Sequence, residues 1–121
     1  MIDHTGVNVT DIARSRDFYR AALAPLGYAV LMEFGDAVGF GVPPKPDFWA
    51  GRSKGAIPPT HVAFRAENRR QVDAFYKAAM AAGGRDNGPP GLRPHYHANY
   101  YGAFVLDPDG HNIEAVCHSA E

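Results

Sequence analysis

Alternation at period two opens the chain. Thr5, Val7 and Val9 fall on one side, and His4, Gly6 and Asn8 on the other, the pattern of a half-buried strand. Asp11 follows, where an N-cap side chain accepts the first free helical amides. Phe18, Ala21, Ala22, Pro25 and Leu26 then recur at helical spacing, and Gly27 supplies a left-handed stop. The same order returns later. Val62, Phe64 and Ala66 oppose His61, Ala63 and Arg65, Asn68 takes the capping place, Val72, Phe75, Ala79 and Met80 form the stripe, and Gly84 ends it. In each copy the apolar strand face must cover the helix, which turns the histidine face away from it.

Displaced by 57 positions, segment 4–27 lies on 61–84 without a gap, and seven of the 24 pairs are identical: His4/His61, Phe18/Phe75, Tyr19/Tyr76, Ala21/Ala78, Ala22/Ala79, Ala24/Ala81 and Gly27/Gly84. This is an internal duplication of one supersecondary unit. Strand-like runs follow each helix: 28–34, 37–42 and 47–50 in the first copy, 99–106 and 111–118 in the second. Asp107-Pro108-Asp109-Gly110 between the last two is a strong turn, with Pro at its second position and Gly at its fourth. The reading is α+β: two tandem βαβββ modules, about 1–52 and 58–121, joined by Gly51 to Pro59. Half of 121 residues is marginal for a core, so the modules should pack as one domain.

Composition narrows the function classes. Twelve Lys and Arg against 13 Asp and Glu leave a net charge of −1, without the basic footprint of a nucleic-acid or anionic-membrane partner. Arg14, Arg16 and Arg20 with Asp11 and Asp17 read as one solvated helix face. The charge-free run Ala21 to Met32 is too short to span a bilayer and is broken by Pro25 and Gly27. There is no basic region followed by an apolar run at the start, and Cys117 is the lone cysteine, so the expected setting is the reducing cytosol.

His4 and His61 hold the same place in the two copies. If a pseudo-twofold relates the copies, their imidazoles converge near its axis. Glu114 lies on the closing strand, on the face opposite Ile113, Ala115 and Cys117. Either histidine alone would pass for a surface or hydrogen-bonded residue; recurrence at matched positions points instead to a shared ligand. Two neutral imidazoles and one carboxylate suit a divalent Fe, Zn, Ni or Mn ion with positions open to substrate.

These pieces resemble the vicinal oxygen chelate superfamily, which includes glyoxalase I, extradiol dioxygenases, and the fosfomycin- and bleomycin-resistance proteins. The matching residues are His4 with Asp11 and Phe18-Tyr19, His61 with Phe75-Tyr76, and Asp107 to Glu114. The resemblance implies paired modules curving into a cup with the helices on its outer face. It also implies a metal held by His4, His61 and Glu114, and a homodimer. Glyoxalase I takes a second carboxylate from the last strand of its first module, where Phe48, Trp49 or Ala50 falls here. Two histidines and one glutamate resemble instead the extradiol dioxygenases and the fosfomycin-resistance thiol transferases.

A second cluster runs from Arg93 to Tyr101 through His95, Tyr96, His97, Asn99 and Tyr100. If extended, it places His95, His97, Asn99 and Tyr101 on one face. It reads either as a cup wall or as a structured loop at a dimer contact. As a wall, His97 or Tyr101 would be acid, base or donor, with Arg93, His95 and Asn99 binding substrate. His95 and His97 with His111 or His118 make a rival metal set. Trp49 and Phe48 line a pocket or pack the core, and Cys117 packs. The expected function is a metalloenzyme chelating adjacent oxygens of a small substrate, for isomerase, lyase, transferase or iron-dependent dioxygenase chemistry. The alternative is a metal-free protein that sequesters a ligand, as the bleomycin-resistance proteins do.

Overall fold

Apolar alternation and the two capped stripes produce the same element order twice in the computed structural model, which describes all residues 1–121. The first half holds β1 (Thr5–Val9), α1 (Ile12–Leu23) with a 3-10 turn at Ala24–Leu26, β2 (Ala29–Phe34), β3 (Ala37–Gly41) and β4 (Phe48–Arg52). The second holds β5 (His61–Arg65), α2 (Arg69–Ala81), β6 (Arg85–Asp86), β7 (Gly91–Leu92), β8 (Tyr101–Leu106) and β9 (Asn112–Cys117). Each half is one mixed sheet. The first runs β1-β4-β3-β2, and the second β5-β9-β8 with β6 and β7 both on β8. β1 pairs parallel with β4 and β5 parallel with β9; the remaining pairs are antiparallel.

The helices begin where the caps predict. Asp11 accepts the Arg14 amide at 3.1 Å and Asn68 the Gln71 amide at 2.9 Å. Gly27 ends the first unit at φ +89°. In the second, Gly83 takes the left-handed turn at φ +99°, in place of the expected Gly84. Gly84 serves a different need: a Cβ there would meet the Ala79 carbonyl oxygen at 2.8 Å and the Val105 side chain. The strand expected after α2 is broken into β6 and β7. Pairing to β8 runs through Asn87 and Gly88, lapses at Pro89-Pro90, which have no amide hydrogens to give, and resumes at Gly91.

The two sheets are not continuous within one chain. β1 and β5 each pair on one side only, and the halves meet instead through packed α1 and α2. One apolar cluster runs through both, from Val7, Phe18 and Phe48 to Phe64, Phe75 and Ile113. Phe64 meets Phe48 and Tyr28 edge-on at 5.0 and 5.4 Å. The turn Asp107–Gly110 forms as expected, with Gly110 N–H donating to Asp107 O at 3.0 Å, and it also ties the halves together. Buried Asp107 accepts the Tyr19 hydroxyl of α1. Asp109 accepts the Thr10 amide at 3.2 Å. Buried His111 donates from Nε2 to Asn8 O at 2.7 Å and accepts the Thr60 amide at Nδ1, 3.0 Å away. Burial first, then the charge and hydrogen bond of Asp107, hold the Tyr19 phenol well above the usual tyrosine range. No helix is long and apolar enough to cross a membrane.

Candidate functional site

Strand register decides which side chains can meet. Opposed residues in neighbouring strands share a face. In β5 and β9, Ala63 lies opposite Glu114 and His61 opposite Asn112, so both functional side chains leave the sheet on the side away from α2. His61 Nε2 stands 2.9 Å from Glu114 Oε1. The imidazole is about half exposed (52%), while the carboxylate is buried (1%). Its other oxygen accepts the hydroxyl of Tyr100, so the buried carboxylate has donors on both oxygens, as burial requires. Gly102 leaves the room for this: a Cβ there would lie 3.2 Å from the Tyr100 ring and 3.3 Å from Glu114 Oε2. Burial, then the hydrogen bond and charge of Glu114, raise the Tyr100 phenol above its usual range.

Tyr100 belongs to the cluster read from the sequence but has no assigned role there, whereas its neighbour Tyr101 does. β8 pairs Tyr101 with Cys117 and Phe104 with Glu114, which puts Tyr101 on the helix face. Its hydroxyl donates to Asp73 of α2 at 2.7 Å, and Arg69 lies over its ring at 5.1 Å. The hydrogen bond to Asp73 and then burial raise that phenol too.

Of the two readings, the run 93–99 takes the structured loop and not the extended wall: it is folded in turns, with Tyr96 N–H bonded to Arg93 O at 2.9 Å and Tyr100 N–H to His97 O at 3.2 Å. Its side chains therefore do not line one wall. Arg93 donates to the carbonyls of Gly91 and Pro89, both at 2.8 Å, and lies over Phe104. His95 packs on Tyr96, with ring centroids 4.2 Å apart. The Asn99 amide donates to His97 Nδ1 at 3.2 Å, and His97 Nε2 faces His118 Nδ1. Of the rival set, only His97 and His118 meet; both nitrogens of His111 are engaged, Nε2 by Asn8 of the first half and Nδ1 by Thr60.

His4 stands apart from the pair it was expected to join. It precedes β1, is 61% exposed, and bonds Asp3 at 2.7 Å, which also takes Lys45 at 3.0 Å. A cleft of about 360 Å³ lies between the start of β1 and β5, lined among others by Asp3, Thr5, Tyr28, Asp47, His61 and Arg65. Within one chain no group of three His, Cys, Asp or Glu side chains is placed to hold a metal.

The register also settles which residue corresponds to Glu114 in the first half. Gly6 pairs with Trp49 as Ala63 pairs with Glu114, and Gly6 and Ala63 are matched positions of the duplication. Trp49 is the counterpart, while Phe48 and Ala50 are buried on the helix side. The indole lies across Gly39, where a Cβ would come within 2.8 Å of it. The Phe34 ring, 60% exposed, runs parallel to it within 9° at 6.1 Å.

A duplicated strand-helix-sheet unit with a histidine–glutamate pair on the sheet face away from the helix defines a class, and the sequence profile of that class fits. Residues 1–115 match the Glyoxalase/Bleomycin resistance protein/Dioxygenase superfamily, and the chain belongs to it. A glyoxalase/bleomycin resistance protein from Albidiferax ferrireducens T118 is 29% identical and superposes with a TM-score of 0.83, over 95% of this chain and 97% of that one. A family enzyme from Burkholderia phytofirmans PsJN shares the fold at 17% identity and a TM-score of 0.75, covering 98% of both chains. The oxidase ChaP-H2 is 25% identical, with a TM-score of 0.68 over 98% of this chain and 94% of that one. No curated protein matches the chain.

Proposed function

We propose that the chain is a metal-dependent enzyme acting on a small substrate with two adjacent oxygens, and that it works as a homodimer. The observation that carries this reading is the His61–Glu114 pair: a buried carboxylate and a half-exposed imidazole 2.9 Å apart on neighbouring strands. One imidazole nitrogen and one carboxylate oxygen are two donors of a two-histidine, one-carboxylate set, which fits divalent Fe, Zn, Ni or Mn. The third donor is His4 of a second copy, brought in along the unpaired edges of β1 and β5. When bound, the metal would supply Lewis-acid polarisation of the two substrate oxygens.

The chain's own residues set the site around it. Tyr100 keeps its proton at neutral pH, and its bond to Oε2 fixes the Glu114 rotamer so that Oε1 faces His61. Trp49, in place of a second carboxylate, brings no proton acceptor, which sets this site apart from glyoxalase I chemistry and favours transferase or dioxygenase chemistry. Elemental analysis of tag-free protein tests the reading. In a His118→Ala background, where the His97–His118 pair takes no metal, one equivalent of transition metal is expected, and it is lost on adding either His61→Ala or Glu114→Ala. Equal metal content in the variants, or no uptake by the wild type from excess divalent ions, would remove it.

One observation favours a second reading, a metal-free protein that holds an aromatic ligand. The Trp49 and Phe34 rings form a flat, partly exposed surface beside Gly39. Trp49 is the sole tryptophan, so its fluorescence reports on that surface. Under this reading 2,3-dihydroxynaphthalene quenches it saturably in metal-free protein, and Glu114→Ala leaves the quenching unchanged. Quenching that requires added metal would return the site to the first reading.

A further inference from the structure

Two histidines that the Glu114 site does not use face each other at the end of the second sheet. His97 lies in the turn between β7 and β8, and His118 directly follows β9. Nε2 of His97 and Nδ1 of His118 are 2.6 Å apart, and the rings stack with centroids 4.8 Å apart and planes 24° from parallel. Both side chains are exposed. The Tyr100 ring packs edge-on against each, at 5.4 Å in both cases, and its hydroxyl reaches Glu114.

We propose that His97 and His118 form a two-imidazole site for a divalent transition ion of the copper, nickel and zinc group. The site is separate from His61 and Glu114, and it fastens the turn that leads into Tyr100 to the end of β9. Two ring nitrogens converge here from segments 21 residues apart. Without an ion they must share a hydrogen across 2.6 Å, which is tighter than the roughly 2.9–3.0 Å usual for a bond donated by N–H. An ion about 2.0–2.1 Å from each nitrogen requires them to stand farther apart, and exposed rings reach that separation by small rotations. The open side leaves coordination positions for water. Imidazoles with no carboxylate beside them select copper, nickel or zinc over magnesium or calcium.

Ligation leaves a local signature. The Asn99 amide now donates to His97 Nδ1 at 3.2 Å. A neutral imidazole that binds an ion through Nε2 carries its proton on Nδ1, so the Asn99 amide must turn to water. His61 and Glu114 keep their places, because neither contributes to this pair.

Calorimetric titration of tag-free His61→Ala protein with copper(II), nickel(II) and zinc(II) chloride tests the site without the other one. One ion per chain is expected, with copper bound most tightly. Adding His118→Ala or His97→Gln should weaken binding by at least the roughly 10–100-fold that loss of an outer-shell partner alone costs a metal site. The Asn99 amide resonance should shift with the ion and stay fixed in the His118→Ala protein. The same comparison in the wild-type background, where one equivalent should disappear with His118→Ala, covers the case in which His61→Ala folds poorly. Equal stoichiometry and affinity with and without His97 and His118 would overturn the proposal, as would no uptake by well-folded His61→Ala protein.

Discussion

Asp107→Ala is expected to lower the unfolding free energy by about 3–5 kcal/mol, summed over several buried donors left without a partner at about 1–3 kcal/mol each. Asp107 is buried, and its oxygens accept the Tyr19 hydroxyl and the amides of Asp109 and His111, the last two at 2.9 and 2.8 Å. Alanine strands the fully buried Tyr19 hydroxyl and loosens the turn that positions His111 between the halves. Tyr19→Phe removes only the first of these bonds and should cost about 1–2 kcal/mol. Urea unfolding of the two variants gives the order, and a smaller loss for Asp107→Ala than for Tyr19→Phe would mean that the turn does not hold the halves together. The pair also sets an alkaline limit. Because the folded phenol is raised, unfolded Tyr19 gives up its proton first as pH passes about 10. Stability contributed by this group is complete below that pH and falls above it, by about 1.4 kcal/mol per pH unit; Tyr19→Phe removes that share of the slope.

Mixing two variants that each lack one proposed ligand is expected to restore metal binding. His4→Ala lacks one proposed ligand and Glu114→Ala another. If each site takes His4 from one copy and His61 with Glu114 from the other, a mixed dimer carries one doubly damaged site and one intact site. Random exchange of equal amounts makes half the dimers mixed, so about a quarter of the wild-type metal at this site returns. Sites closed within one chain would return none. The open edges of β1 and β5, and the distance of His4 from the His61–Glu114 pair, favour the first result. Elemental analysis after exchange and removal of loose metal reads it directly, in a His118→Ala background so that only this site is counted.

Much of the fold was legible because the chain states it twice. The 57-residue displacement marked both units, and Asp11 and Asn68 marked both helix starts. Parity then placed His61 and Glu114 on one face. Tyr100 was given no role because the wall reading of Arg93 to Tyr101 assumed an extended run, which gives the face to Tyr101. The Asp107–Gly110 turn held the corrective signal. Counting outward from it pairs Leu106 with Asn112, Phe104 with Glu114 and Gly102 with Val116, and one further step of two leads to Tyr100 and His118. The break at Pro89-Pro90 follows from two missing amide hydrogens and could have been anticipated. The double role of His111, gripping Asn8 and Thr60, could not, since it depends on how the halves dock.

That docking changes what the segment between the halves is for. Gly51 to Pro59 is half-buried to exposed and mostly without secondary structure, while the Asn8–His111 and Tyr19–Asp107 bonds and the Phe48–Phe64 contact all cross without it. It behaves as a tether, not a hinge. Its length and composition are free to drift, because the relative pose of the halves is written in the packed helices, the Phe48–Phe64 contact and the four-residue turn Asp107–Gly110 with the His111 that follows it.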